Sequence, residues 1–328
     1  MRRFTLLILS VIIGLVYSCC SDDDDKATVI PAGNKSIKLG ITSRVGAVIN
    51  DDLTNYVESL NLLTFRKNRQ GEYVLYQTQV LTLADLKALE NSSEAVAPGY
   101  TAKRDVTITQ LPVGTYEIVG LANALDESGN ALPTVSLSGV TIGNTMEQVI
   151  ASVTDGAESP HFFYGITSPV VLGEAVTDVP TLTLNRKVSM FVLTLKDVPQ
   201  VVTKIELESQ NTYGSFDMTG QFLASPVIDV NESATFNFVE TQDSIIVASV
   251  SLPTAGSARS TFTVTFTLDN GQEIPLSLPQ YTLLENTITK VTATVNTEKP
   301  GEQWKLDLTF DVTVNVEWNV DQEPPVEI

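Results

Sequence analysis

The stretch WKLDLTFDVTVNVEW, residues 304–318, alternates apolar and polar side chains without an exception. A period of two is typical of a β-strand with one buried face and one solvated face. These fifteen residues would extend roughly 50 Å as a strand, whereas a compact domain of about 145 residues is only about 38 Å across. The stretch therefore predicts either a bent or bulged strand of its own domain, or a strand whose end reaches beyond that domain.

The rest of the chain also indicates strands. SIKLGIT (36–42) alternates, DVTITQLPVGTYEIVGLAN (105–123) reads as two strands around a Pro-Val-Gly turn, and TFTVTFTLDNGQEIPLSL (261–278) is typical of a hairpin with an Asn-Gly turn. Two short helical excursions are predicted, at residues 82–90 and at 143–153, the second with a capping box of Asn144 and Glu147. The fold class predicted is all-β, with a length that suggests two tandem β-sandwich domains, 36–184 and 185–328.

The N-terminus predicts export and lipidation. Two arginines precede an apolar run of thirteen residues, 4–16, which fits a secretory signal and is too short to span a membrane. The only two cysteines of the chain follow it, and residues 16–19 resemble a lipobox with Cys19 as the acylated residue. Cys20 fits less well, because a cysteine would precede it. We therefore expect a lipoprotein signal peptide over 1–18 and a lipidated tether over 19–35; the alternative is a plain secretion signal.

The charge balance restricts the partners. The chain has 39 acidic and 20 basic residues, a net charge of −19, and no basic stripe in its sequence. Such a chain repels phosphate backbones, so nucleic acid is excluded as a partner. The same balance argues against attachment to anionic lipid through basic side chains. The acidic run at 22–25 resembles the surface-export signal of lipoproteins in anaerobic Gram-negative bacteria, which implies an outer-membrane, surface-exposed location.

The sequence offers little for catalysis. His161 is the only histidine, and the predicted domains contain no cysteine, so a zinc site lacks its usual ligands. No nucleophile elbow, phosphate-binding loop or dinucleotide fingerprint is present. Carboxylate pairs must occur by chance among so many acidic residues. We therefore predict no enzymatic activity, no cofactor and no metal.

Several segments in a fixed order resemble the fimbrillin family of type V pilus subunits and anchors. They are the lipoprotein leader, the first strand followed by Arg44, LNLLTFRKNRQGEYVLY (60–76), LPVGTYEIVGLANA (111–124), HFFYG (161–165), LNRKVSMFVLTLKDVP (184–199) and VNVEWNVDQEP (314–324). The resemblance covers nearly the whole chain. It implies two transthyretin-like β-sandwich domains and assembly with other fimbrial subunits by strand exchange.

The resemblance also implies site residues. In stalk subunits a trypsin-like protease cuts after an arginine, here Arg44 before Val45, and removes the first strand with its apolar set Ile37, Leu39 and Ile41. Anchor subunits keep their lipid and are not cut. The sequence favours equally the interpretation that Arg44 is an ordinary loop arginine. Arg66 and Arg69 are tryptic sites as plausible as Arg44. The candidate donor strand is the end of the long alternating stretch, with Val314, Val316 and Trp318.

Alternatives stay open at this point. We expect residues 304 to about 312 to close the sheet of their own domain. The residues after 312 either continue that strand or reach beyond the domain as the donor. The role could be stalk, anchor or tip, with a host or bacterial surface as ligand. A surface glycan-binding lipoprotein is the rival function, and it would require a cluster of outward aromatic side chains.

Overall fold

The computed structural model describes residues 35–44, 53–89, 104–173, 180–235, 241–298 and 304–318. The predicted signal peptide, Cys19 and Val45 lie outside these residues. Residues Ala32–Ile328 form one compact unit. The predicted domain division at 184/185 falls within that unit and stays a prediction.

Nineteen strands and one α-helix are present in this part of the chain, so the predicted all-β class is confirmed. The first ten strands are β1 (Lys35–Arg44), β2 (Leu60–Lys67), β3 (Tyr73–Leu81), β4 (Arg104–Leu111), β5 (Gly114–Ala122), β6 (Val135–Ser138), β7 (Ile150–Val153), β8 (Phe163–Ile166), β9 (Val170–Leu172) and β10 (Thr181–Arg186). The others are β11 (Ser189–Val198), β12 (Val202–Tyr213), β13 (Ser215–Asp217), β14 (Val227–Thr235), β15 (Gln242–Ser251), β16 (Thr261–Leu268), β17 (Glu273–Ser277), β18 (Thr287–Glu298) and β19 (Lys305–Glu317). Helix α1 spans Leu83–Leu89.

An eight-stranded sheet organises the N-terminal half, in the order β3-β2-β5-β8-β10-β1-β4 with β9 beside β5. Strands β4 and β5 follow each other in sequence but lie apart in this order, which requires the sheet to curl. Its inner side chains form one apolar cluster, here called the N-terminal core, which includes Leu39, Ile118 and Leu184. Gly165 permits the close approach of β8 to β10, because a Cβ there would lie 2.2 Å from the Thr183 carbonyl oxygen.

Two four-stranded sheets form the C-terminal half, β15-β11-β18-β19 and β14-β12-β16-β17. Alternate residues of both sheets, such as Leu193, Val264 and Val291, face one another and form the sandwich core. A stacked pair, Phe191 and Phe262, lies within it with ring centroids 4.0 Å apart. Burial of the apolar faces of the two sheets against each other stabilises the sandwich.

A third cluster joins the two halves and is called the junction core. It includes Phe65 and Val119 of the first half, and Met190, Val250 and Trp318 of the second. A small sheet, β13-β7-β6, crosses the same region and pairs β13 of the second half with β7 of the first. The halves are therefore connected by both backbone pairing and shared apolar burial.

A single β-bulge explains the length of the alternating stretch. Strand β19 pairs with β18 along its whole length, but the register shifts between Thr292 and Ala293, which oppose Val312 and Phe310 and leave Asp311 as the extra residue. Before the bulge, Leu306, Leu308 and Phe310 pack with the sandwich core. After it, Val316 packs against the junction core and Trp318 lies in it. One strand with unbroken alternation thus serves two cores on opposite faces of the sheet.

Other local predictions had mixed outcomes. The Asn-Gly hairpin is confirmed as β16 and β17 in antiparallel register, and α1 confirms the helix at 82–90. The helix predicted at 143–153 is wrong, because only Met146–Gln148 forms a 3-10 turn and β7 begins at Ile150. The β-branched residues there pair with β6 and β13 instead, and Thr145 and Gln148 supply the cap: the Thr145 N–H donates to the Gln148 Oε1.

Candidate strand-exchange site

Strand β1 lies inside the sheet rather than at its edge. It pairs in parallel with β10, from Gly40 with Thr181 to Arg44 with Asn185, and antiparallel with β4. Its outer face is polar, where the Lys38 Nζ lies 2.7 Å from the Asp105 Oδ2. Without β1, the backbone groups of both neighbouring strands would lose their partners along this line.

The inner face of β1 supplies the predicted apolar set. Ile37, Leu39 and Ile41 are each 0% exposed and belong to the N-terminal core. Burial of such side chains contributes about 1.5–3 kcal/mol each. Strand β1 therefore combines backbone ladders on both sides with three filled pockets, the arrangement that a removable or exchangeable strand needs. Its removal stays a prediction.

The C-terminal end of β1 and the end of β19 lie near one another. Arg44, whose backbone pairs with Asn185, ends β1, and the next residue of β10 is Arg186. The Arg186 guanidinium lies 4.0 Å from the Trp318 ring centroid. The structure thus brings the predicted processing arginine and the end of the candidate donor strand to one end of β10.

The candidate donor residues occupy defined positions in their own chain. Val314 pairs with Lys290 and Val316 with Ile288 along β18. Trp318 is 0% exposed, and its backbone N–H donates to the Asn286 carbonyl oxygen at 3.0 Å. Strand β19 is the edge of its sheet, and donation of its end to another subunit stays a prediction.

Trp318, Arg186, His161 and Phe163 form a group that we call the Trp318 clasp. The His161 ring meets the Trp318 ring edge-on at 5.2 Å, and Arg186 also lies over Phe163 at 5.2 Å. Arg186 is 1% exposed, and a desolvated cation over an indole contributes about 2 kcal/mol or more. His161, the only histidine, therefore acts here as a packing residue that helps to hold the last strand to the first half.

Replacing Trp318 with alanine is expected to lower the free energy of unfolding by about 3 kcal/mol, since the indole is fully buried and Arg186 loses its π partner. Trp318→Phe keeps an aromatic face and should cost less than half as much. Urea denaturation followed by circular dichroism measures both. Equal losses for the two variants would contradict the cation–π contribution.

A pair of carboxyl groups faces another part of the junction. The Val250 N–H donates to the Glu158 Oε1 at 2.8 Å, and the Ser159 N–H donates to the Val250 carbonyl oxygen at 2.9 Å. Desolvation of its carboxyl group, followed by the charge of Glu232, raises the pKa of Glu158 to about 7, although the residue as a whole is exposed. Burial also raises the pKa of Glu232. A group whose pKa is raised by folding favours the folded state when it is protonated.

Stability is therefore expected to fall as the pH rises from 5 to 8, through the raised pKa of Glu158. Glu158→Gln should flatten this dependence, because its amide remains neutral. Exposed Glu147→Gln is the control and should keep the slope of the unchanged protein. The free energy of unfolding measured at intervals of pH gives the slopes. A Glu158→Gln slope equal to that of the unchanged protein would refute the prediction.

Within the described ranges, no group of three or more His, Cys, Asp or Glu side chains is placed to hold a metal ion. In the same part of the chain, no helix has the length and apolar character needed to cross a membrane. Reasoning from the sequence did not single out Arg186 or Glu158, whose contacts at the junction the structure shows. Arg186 lay within a quoted segment, and only its apolar surroundings could have suggested burial. Nothing in the local sequence marked Glu158.

Solved structures with the same architecture come from Bacteroides species. One is a proposed adhesin from Bacteroides thetaiotaomicron, with a TM-score of 0.51, 12% identity and coverage of 88% of this chain and 100% of that chain. Another, from the same species, is a proposed polysaccharide-binding protein, with a TM-score of 0.51, 13% identity and coverage of 86% and 98%. A third is a proposed adhesin from Bacteroides ovatus, with a TM-score of 0.50, 13% identity and coverage of 84% and 96%. At these identities the likeness shows the fold. No curated protein sequence matches this chain.

The packed sheets define an all-β protein of β-sandwich architecture. The chain belongs to the family of fimbrillin-A associated anchor proteins Mfa1 and Mfa2, whose sequence profile matches residues 36–323. The resemblance noted in the sequence is thereby confirmed. Membership associates the chain with fimbriae at the cell surface and with structural rather than catalytic work.

Proposed function

We propose that this protein is a fimbrial anchor, held in the outer membrane through acylated Cys19 and joined to the next pilus subunit by strand exchange. The match to a family of anchor proteins over residues 36–323 carries the proposal. Strand β1 suits an anchor as it suits an uncut stalk subunit: its three apolar residues are fully buried, β4 pairs with residues 35–41, and β10 pairs with residues 40–44. An anchor needs no strand from a preceding subunit, so it keeps its own first strand.

Strand exchange would use the backbone hydrogen-bonding groups that an open groove exposes. A donated strand satisfies these groups and fills the pockets with alternate side chains. The end of β19 is suited to donation, since it is an edge strand with alternating side chains. Its release would require Trp318 to leave the clasp, so the clasp would hold the donor in place until a partner arrives.

The glycan-binding alternative has less support. It requires outward aromatic side chains, whereas Trp318 is fully buried and Trp304 packs against the sandwich core. The large apolar side chains exposed in the described part of the chain are valine, isoleucine and leucine. A glycan array with the purified protein would test this function, and binding that is lost when one tyrosine is changed would favour it.

Limited trypsin digestion tests the anchor role. The purified mature protein is digested, the cut sites are identified by mass spectrometry, and the products are run unboiled on a denaturing gel. We expect no SDS-resistant ladder from a cut after Arg44, because an anchor keeps β1 and the backbone of Arg44 pairs with Asn185 of β10. Arg44→Ala, Arg66→Ala and Arg69→Ala separate the three candidate sites. A single cut after Arg44 with a ladder would show a polymerising stalk subunit instead.

A further inference from the structure

One end of the N-terminal sheet carries a surface unlike the rest of this acidic protein. It consists of Arg66, Lys67 and Arg69 at the β2–β3 hairpin with the exposed Val113 and Val171, and we call it the tether-end surface. The Arg66 Nη2 donates to the Val113 carbonyl oxygen at 3.0 Å, and the adjacent Gly114 pairs with Leu172, the neighbour of Val171. These contacts place Arg66, Val113 and Val171 together, and Lys67 and Arg69 follow Arg66 in sequence at the hairpin.

Among the residues that the structure describes here, basic side chains outnumber acidic ones, although the chain carries a net charge of −19. Lys67 and Arg69 are exposed and Arg66 is half-buried. The acidic side chains with described contacts here are two. Glu72 accepts a hydrogen bond from the Asn68 Nδ2 at 3.1 Å, and Glu117 shares a hydrogen bond with Tyr73 beside Lys67. The structure thus gathers cations that the composition does not reveal.

Two of the exposed apolar side chains lie among these cations. Val171 is 70% exposed and Val113 is 52% exposed. Val113 occupies a two-residue turn between β4 and β5, and Val171 is the middle residue of the short strand β9. Exposed apolar residues at turns beside basic side chains are suited to the boundary between lipid headgroups and acyl chains.

The chain enters the described fold at the same end. Lys35, the first residue of β1, pairs with Leu111, two residues before Val113. The Lys35 Nζ also donates to the carbonyl oxygen of Gly173, next to β9. Fifteen residues lie between Cys19 and Lys35, and a chain of that length spans at most about 55 Å between the two. The segment that leads to the predicted lipid therefore leaves the fold beside the tether-end surface.

We propose that the tether-end surface lies against the phosphate-bearing lipid of the membrane in which Cys19 is anchored. The proposal rests on the lipid anchorage proposed above. It departs from the expectation that the charge balance argues against attachment to anionic lipid through basic side chains, because that expectation averaged charge over the whole chain. The acidic remainder is repelled by the lipid phosphates, so the two effects together orient the protein with this end toward the membrane.

A site-specific fluorophore tests the orientation. The acylated protein is prepared with Cys20→Ala and Val171→Cys, labelled with an environment-sensitive dye, and incorporated into vesicles of phosphatidylglycerol and phosphatidylcholine that contain a quenching lipid. We expect blue-shifted emission and strong quenching at position 171. The matched control is Leu284→Cys, at a side chain that is 51% exposed. Its neighbour Glu285 forms an ion pair with Lys187, which follows Arg186 at the other end of β10. The dye at that position should be unaffected.

Charge variants test whether the tether-end surface recognises the negative charge of the lipid headgroup phosphate. The double variant Lys67→Gln with Arg69→Gln should lower the equilibrium constant for the contacting over the lifted orientation by about thirtyfold. Each cation contributes a factor near five. Lys196→Gln with Lys204→Gln removes two lysines of the C-terminal half as a control and should change nothing. Pure phosphatidylcholine vesicles, or added salt, should reduce the quenching as the double variant does.

Vesicle flotation separates this proposal from the lipid anchorage. If the protein does not float with vesicles, acylation at Cys19 has failed and the proposed function is wrong. If it floats but position 171 is quenched no more than position 284, the proposed orientation is overturned. Quenching at position 171 that stays at the level of the unchanged protein on anionic vesicles, both for the neutralised variant and on phosphatidylcholine vesicles, would overturn the role of the negative headgroup charge.

Discussion

Deletion of Thr309 is expected to lower the free energy of unfolding by about 4 kcal/mol, although it removes one exposed residue of an edge strand. Removing a residue before the bulge leaves two ways to restore pairing with β18. Either residues 305–308 change faces, or the extra residue is absorbed and Phe310 turns outward while Asp311 turns toward the sandwich core. Both outcomes expose apolar side chains or bury a carboxylate.

Deletion of Asp311 is the matched control. Phe310 and Val312 already oppose adjacent residues of β18, so removal of the residue between them leaves a regular ladder with every remaining partner unchanged. Its ion pair with Lys196, at 3.1 Å, is exposed and contributes little. We expect a loss of about 1 kcal/mol or less. Denaturation curves of the two deletion variants, compared side by side, measure the difference, and similar losses would show that the bulge does not set the two faces.

Replacing Leu39 with aspartate is expected to destabilise the protein by about 5 kcal/mol, since a fully buried side chain is lost and a carboxylate is placed in the N-terminal core. Urea denaturation monitored by circular dichroism gives the magnitude. Leu39→Met conserves volume and should cost less than about 1.5 kcal/mol. Lys38→Gln, on the outer face of the same strand, loses an ion pair with Asp105 and should cost about 1 kcal/mol or less.

The same variant distinguishes a structural strand from an exchangeable one. A synthetic peptide with the sequence of residues 35–44 is added during refolding. If β1 can be exchanged, the peptide should bind the Leu39→Asp chain and restore part of its stability, while the unchanged protein should not take it up. Absence of any rescue, in a variant that retains folded C-terminal sheets, would argue that β1 must be covalently continuous with the fold.

The alternating patterns determined the class of the fold by themselves. Residues 304–318, 36–42 and 261–278 each alternate, and the structure has strands β19, β1 and β16–β17 there. Period-two burial is a local property, because successive side chains of a strand point to opposite faces whatever the strand pairs with. The Asn-Gly turn and the short helix α1 were also predictable, since their signals lie within a few residues.

Only the tertiary structure decided which core each face contacts. Unbroken alternation from Trp304 to Trp318 could not reveal the bulge at Asp311, because a bulge is defined by the opposite strand and not by the strand that contains it. The failed helix at 143–153 has a similar cause, since pairing of β7 with β6 and β13 outweighed a weak local preference. Burial of Arg186 and the gathering of Arg66, Lys67 and Arg69 near Lys35 likewise depend on long-range strand order. The charge and burial at one place in the fold depend on residues that are distant in sequence. The overall composition therefore does not reveal them.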